Sequence, residues 1–589
     1  MDAVPRDVKV CLAAWVAVSA LVLAVASVPA FSPPWQTPTT PDHFAVIQYW
    51  WPWLFGMVAA VSGALLLPST RTTQITCVAW CREMLRAHRG VLWLMLAAAL
   101  LRFMLVRRGG QYFDWDEVRY GGSATWMFAY VSTGHFREAL DMLLRAPDHP
   151  AFRIAGLPLA FFHVASAWPT ALPITEMRYP TGEWLPAFLL SLSSVCSIGL
   201  TYALALRAGA CRRESFLAAF LMFASSSMLI YAQHFFPYDT ALAMLLFALW
   251  IAMKDGRHLW RSLAAGLLCG FAFLTYEGYW LMAAVVGGLH VLRNPRRPSL
   301  MILRAGLFSA GTALFPALLI AAGQAAGRPF AQALERFSRS AVNGDFSEGW
   351  SLPWAYLWHA EHLLLLVYVL GMVAAAVQYV REKRDDHSLV WLSAAAAIYL
   401  GLIAGSNLFH RWVVYDRLVR QMLPFVCLAA AAGIAHVGNG RLMRGTPALA
   451  LYAVIAVVFT ANAAPLMAQR YPREIARDAI QKYGAANVRL ATIVAHSDEA
   501  TVQVFLPVQA DSAESPAAAR RYVLLNAQDI WVPDGTLEAV SPPAGKVLFS
   551  VRHPRQLPVM QYHGYRPEER AFVRSIDLSM ELIDTKSAH

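Results

Sequence analysis

Asp114, Asp116 and Glu117 stand together in Gln111-Tyr112-Phe113-Asp114-Trp115-Asp116-Glu117-Val118-Arg119-Tyr120, directly after the apolar run 91–106. Carboxylates at the mouth of a membrane span are costly to hold unless they are hydrated, paired or used. Three uses fit this spacing. The cluster can cap a helix that starts at Glu117, where negative charge is favoured. Asp114 and Asp116 can reach one hard divalent cation. One carboxylate can also take a proton from an incoming hydroxyl, as a general base does.

Other polar groups recur at the ends of apolar runs. Asp148-His149-Pro150 reads as a turn that returns a carboxylate and an imidazole to the membrane surface. Pro237-Tyr238-Asp239-Thr240 falls between two apolar runs, and Asp239 suits the N-terminus of the second. Arg411, Arg417 and Arg420 cluster in one loop. They call either for an anion, a lipid headgroup or a substrate phosphate, or for an ion pair with Asp416 or another carboxylate. Glu277 lies between two apolar helices at a boundary where water can reach it. Trp350, Trp354, Tyr356 and Trp358 read as an interfacial aromatic belt, and Asp345, Glu348 and Glu361 beside them as surface charges.

The elements that position these groups follow from composition. The chain has 589 residues, 57% of them hydrophobic and 15% charged, with a mean hydropathy of +0.43. A soluble chain carries about a quarter charged residues. Apolar runs of about 20 residues recur, enough to cross a bilayer core. The N-terminus leads into a full-length span and is expected to stay uncleaved. The net charge of +11 is spread over short inter-span loops, which is a topology signal and argues against nucleic acid. Seven cysteines lie in apolar runs or basic loops, so no structural disulfide is expected.

Basic loops mark the cytoplasmic side. With the N-terminus inside, a third span at 91–106 carries the acidic cluster outward. The segment 152–168 is short, bounded by prolines and carries Arg153 and His163; treating it as re-entrant keeps the later basic clusters inside. Further spans are expected near 184–206, 215–233, 238–253, 260–277, 279–292, 305–323, 360–380, 388–405, 421–437 and 446–465, about thirteen crossings in all. This divides the chain into a transmembrane domain, 1–465, with an outer loop at 107–150, and a soluble extracytoplasmic α/β domain, 466–589. In the latter, strands are expected at 488–495, 502–508, 521–526 and 546–551, and a helix at Pro472–Tyr483.

The ordered set of motifs resembles the C-type, polyprenyl-phosphate-dependent glycosyltransferase superfamily, with the protein O-mannosyltransferase and lipid A aminoarabinose transferase branch as the nearest match. Phe113-Asp114-Trp115-Asp116-Glu117-Val118-Arg119-Tyr120-Gly121 is similar to the acidic motif of that family's first outer loop. Asp148-His149-Pro150 resembles its second loop motif, Tyr238-Asp239-Thr240 its aspartate at a turn, and Tyr415-Asp416-Arg417-Leu418-Val419-Arg420-Gln421-Met422-Leu423-Pro424 its late arginine-rich stretch. The resemblance covers most of residues 90–465. The two helices before the acidic loop are extra, Pro150 stands single, and Glu277 stands where many relatives carry Lys.

What the resemblance implies is an inverting membrane glycosyltransferase. It would move a sugar from a polyprenyl-phosphate donor to an acceptor hydroxyl or phosphate on a glycan, lipid or protein. Asp116 would be the base, with Glu117 and Asp148 beside it in the acidic set. Arg417 or Arg420 would stabilise the leaving phosphate. His149, Tyr238 and Asp239 would bind or orient substrate. A donor with one phosphate makes no metal obligatory, while the Asp114/Asp116 pair leaves a divalent metal open. The implied place is a bacterial-type inner membrane, with the active site and C-terminal domain extracytoplasmic. Two other readings stand beside it: a transporter or flippase of lipid-linked sugars, and a polysaccharide ligase or polymerase.

Overall fold

The computed structural model describes residues 71–108, 117, 120, 127, 130, 135–145, 150–153, 184–254, 258–293, 297–327, 330–332, 335, 350–382, 387–410, 416–437, 441–484, 487–492, 522–527, 544–553 and 578–588. Asp114, Asp116, Asp148, His149, Arg411, Asp345, Glu348, the first two expected spans, most of 152–168 and the expected strand at 502–508 lie outside the described residues.

Apolar segments of this length must satisfy their backbone internally, and they do so as helices. In chain order these are α1 (Arg71–Arg108), α2 (Phe136–Arg145), α3 (Trp184–Arg207), α4 (Arg212–Phe223), α5 (Ser226–Ile230), α6 (Tyr238–Ala252), α7 (Trp260–Thr275), α8 (Trp280–Leu292), α9 (Pro298–Ala325), α10 (Leu352–Glu361), α11 (Leu363–Glu382), α12 (His387–Ile403), α13 (Leu423–His436) and α14 (Gly445–Ala468). Among the described residues seven helical segments, on α1, α3, α9, α11, α12, α13 and α14, are long and apolar enough to cross a membrane. An eighth is the pair α4 and α5, bent by 58° at its break, while α6, α7 and α8 are apolar but shorter. Each span read from the sequence between 91 and 465 is thus helical, and the chain is a mostly helical, multi-pass membrane protein.

Helix α13 forms the centre of the bundle. Its span is 94% buried, against 11% for the peripheral α9. The alanine-rich sequence of α13 lets neighbours come close, and a Cβ on Gly433 would lie only 1.9 Å from the Gly371 carbonyl oxygen of α11. Small residues at such crossings supply the packing that apolar burial cannot drive inside lipid.

The break between α4 and α5 has a local cause. Ser225 is extended, at φ −67° and ψ 119°, and the helix restarts at Ser226. Serine offers its own hydroxyl to nearby backbone and weakens helix continuity. The donors freed by the break are taken by Glu361, which accepts from Ser225 Oγ at 2.6 Å, Ser226 N at 2.9 Å and Ser227 N at 3.1 Å. Glu361 is fully buried and is not the surface charge expected from its tryptophan-rich surroundings. Tyr356 is buried too, whereas Trp350 and Trp358 are exposed as an interfacial belt requires.

After α14 the chain forms α15 (Pro472–Tyr483) and a four-stranded sheet of β1 (Val488–Thr492), β2 (Tyr522–Ala527), β3 (Lys546–His553) and β4 (Leu578–Asp584). The order is β1-β2-β4-β3, with β1 and β2 parallel and β4 antiparallel to both β2 and β3. Ile475 and Ala479 of α15 pack on Val488, Met580 and Leu582, a small core of the expected α/β kind. The central strand β4 is absent from the sequence reading.

Candidate functional site

Asp239 sits in the first turn of α6, where the helix dipole favours a carboxylate. Arg420 lies in the helical turn Arg420–Met422, immediately before the buried helix α13. The bundle brings the two together. Arg420 Nη2 donates to Asp239 Oδ1, with side-chain exposures of 0% and 6%. The same nitrogen lies 3.3 Å from Met228 Sδ, and the guanidinium lies 4.2 Å from the Tyr231 ring centroid. Its Nε and Nη1 are buried without a hydrogen-bond partner.

The preceding turn supplies Arg417. Its Nη1 donates to Tyr238 Oη at 2.9 Å, and Tyr279 Oη donates to the Arg417 carbonyl at 3.3 Å. The Tyr238 ring is fixed from several sides, stacked on Phe236 at 5.0 Å and edge-on to Tyr276 at 4.7 Å and Tyr231 at 5.3 Å. Tyr238, Asp239, Arg417 and Arg420 therefore form one contiguous cluster. The ion pair foreseen for the arginines exists, with Asp239 as the carboxylate.

A third arginine joins them. Arg102 is fully buried on α1, inside the run read as apolar. Its Nε donates to Ser194 Oγ at 2.5 Å and its Nη1 to the Ala98 carbonyl at 3.2 Å, while Nη2 has no hydrogen-bond partner. Asp239 and Arg420 are both near enough for their charges to act on it. The signal for it was in the sequence: an ionised side chain within a span is a functional or pairing site by default.

Glu117, the described member of the acidic cluster, is also fully buried. Its Oε1 accepts from Phe235 N at 2.8 Å, and its Oε2 lies 3.0 Å from His234 Nδ1. Gln233 Nε2 sits 3.2 Å from His234 Nε2 and donates to Tyr471 Oη at 2.7 Å. An amide nitrogen can only donate, so His234 Nε2 must accept and its Nδ1–H points to Glu117. Tyr471 N in turn donates to Glu474 Oε2 at 3.0 Å. Burial, then the nearby Glu474 and Glu117, push the Tyr471 phenol well above its ordinary value, so it stays protonated. This chain ties Glu117 to the end of the broken span and to the start of α15. Arg108 Nη2 adds a bond to the Gln469 carbonyl at 3.3 Å.

Glu277 is half-buried between α7 and α8. Among the described residues there is no group of three or more His, Cys, Asp or Glu side chains that could hold a metal ion. Cys196, Cys211, Cys269 and Cys427 are free thiols.

The sequence matches no protein-family model and no curated protein. Among solved structures it is similar to the archaeal oligosaccharyltransferase AglB from Archaeoglobus fulgidus, in complex with an inhibitory peptide and a dolichol-phosphate. That similarity has a TM-score of 0.36 and 13% identity, over 65% of this chain and 56% of the other. The chain thus spans little more than half the length of that protein.

Proposed function

We propose that this chain is an inverting membrane glycosyltransferase that takes a sugar from a polyprenyl-phosphate donor. One observation carries the reading: Tyr238-Asp239 meets Arg417 and Arg420, with Asp239 and Arg420 181 positions apart, in a cluster buried at Asp239 and Arg420 and half-buried at Arg417 that is richer in cation than in carboxylate. Arg420 Nε and Nη1 and Arg102 Nη2 remain without acceptors. A buried guanidinium nitrogen without an acceptor is costly, and a phosphate oxygen is an acceptor of the right charge.

In the proposed reaction Asp116 takes the proton of the acceptor hydroxyl as its oxygen bonds to the anomeric carbon. The bond from that carbon to the donor phosphate breaks on the opposite face, and its electron pair leaves on the phosphate. Arg417 or Arg420 meets the charge that develops there. Asp239 holds Arg420 in place, Tyr238 holds Arg417, and Asp148 and His149 orient substrate. Glu117 anchors the acidic loop through His234 and Phe235. A metal at Asp114 and Asp116 is not needed for a donor with one phosphate.

The broken span α4–α5 favours a second reading, a transporter of lipid-linked sugars, since discontinuous helices recur at transport sites. Proteoliposomes given labelled polyprenyl-phosphate sugar and a membrane extract as acceptor separate the two. Transferase activity yields label covalently attached to acceptor. Asp116→Asn is expected to cut that rate by about 10²–10⁴-fold while donor binding persists. Label that crosses the bilayer yet stays on its lipid would assign the transporter instead.

A further inference from the structure

At the other end of the bundle a cavity of about 330 Å³ opens between α1, α3, α4 and α14. It is lined by His88, Arg212 and Arg213 together with Tyr202, Phe216 and Tyr452, and no carboxylate is among its lining residues. Helix α1 is kinked here, with His88 at φ −120° and ψ 18°, and His88 Nδ1 lies 2.9 Å from Tyr202 Oη. Phe216 and Tyr452 meet edge-on at 5.6 Å and form the apolar side.

The charges at this cavity are placed against their own helix. Arg212 and Arg213 open α4, where the positive end of the helix dipole disfavours cations. The one acid in that turn, Glu214, is engaged by His387 at 2.5 Å. Exposed Arg86 and Arg89 flank His88, and exposed Arg441 and Arg444 flank the lining residue Met443. An anion at the rim would offset the two arginines that open α4. The opposite wall runs into the membrane: Tyr452 lies about 10 Å along α14 from Gly445, at 1.5 Å per residue.

We propose that this cavity binds an anionic phospholipid, with its headgroup phosphate between Arg212, Arg213 and His88 and an acyl chain along Phe216 and Tyr452. Basic pockets between membrane helices on one face are suited to such headgroups. A charged rim joined to an apolar wall matches the two ends of a lipid and not a free phosphate. The site is remote from the Asp239–Arg420 cluster, and the proposal stands whether or not the chain is a transferase.

The test is native mass spectrometry of the full-length protein released from bilayers that contain phosphatidylglycerol and phosphatidylcholine of matched chains. The wild-type protein is expected to retain phosphatidylglycerol about tenfold over phosphatidylcholine, and the double variant Arg212→Gln/Arg213→Gln to lose that preference. Arg381→Gln, on an exposed end of α11, is expected to keep it. Equal retention of the two lipids by the wild type overturns the proposal without need of any variant. So does unchanged retention in the double variant, or displacement of the lipid by millimolar inorganic phosphate, which would make the cavity a soluble-anion site. If the double variant fails to fold, Tyr452→Ala tests the acyl wall, and undiminished retention there also overturns the assignment.

Discussion

Arg420 is the side chain on which the candidate site turns. Its charge is buried, one nitrogen is paired with Asp239, and two nitrogens face no acceptor. Removing one partner of a buried pair leaves the other charge uncompensated and costs about 3–5 kcal/mol. Asp239→Asn is therefore expected to lower the thermal stability of the purified protein strongly, read by its unfolding temperature in detergent. Arg420→Lys keeps a charge near Asp239 but loses the planar fork that can serve Asp239 and a phosphate together. Its fold should persist while donor binding and transfer fall together. Wild-type turnover in Arg420→Lys would reduce the cluster to a structural ion pair. The pairing was foreseen only in kind, because the sequence places Asp416 beside the arginines and gives no sign that Asp239 is their partner in space. Arg102 was legible as a charge in an apolar run, yet its surroundings depend on how α1 packs on α3.

At the scale of elements, the helices were readable because a bilayer dictates both length and apolarity. The break between α4 and α5 was not. It needs Ser225-Ser226-Ser227 to weaken the helix and Glu361, 136 positions from Ser225, to accept the freed donors. Local pattern places Glu361 among interfacial tryptophans, and only packing of α10 against α5 buries it. Glu361→Gln tests this account. The amide keeps one acceptor oxygen and puts an NH2 where the other stood, so either Ser226 N, bonded to Oε2, or Ser227 N, bonded to Oε1, loses its acceptor. A loss of about 1–3 kcal/mol is expected for the stranded donor, read as a lowered unfolding temperature with the helical content unchanged. No change would mean that water replaces the carboxylate at the break. Strand β4 escaped for a different reason: a seven-residue segment near the end of the chain becomes central only through its pairing with β2 and β3.

For the whole molecule the two ends differ in charge, and that difference sets an orientation. One end has Arg212 and Arg213 lining the cavity, with Arg86, Arg89, Arg441 and Arg444 close in sequence to its other lining residues. The other holds the Glu117–His234–Gln233–Tyr471 chain. Helix α14 connects them, starting at Gly445 beside the basic loop and ending near Gln469, which receives Arg108. Basic loops stay cytoplasmic, so Arg444 is expected inside and α15 outside. In a background with the native cysteines replaced by serine, Lys482→Cys should react with a membrane-impermeant maleimide in intact cells. Arg444→Cys should react only after permeabilisation. Both positions are exposed on the protein, so a lack of reaction reports the membrane and not burial. Labelling of both from one side would mean that α14 does not cross. The opposite pattern would invert the molecule, moving the Asp239–Arg420 cluster to the cytoplasmic half and the lipid cavity to the outer leaflet. It would thereby exclude transfer on the outer face while leaving the chemistry of each site as described.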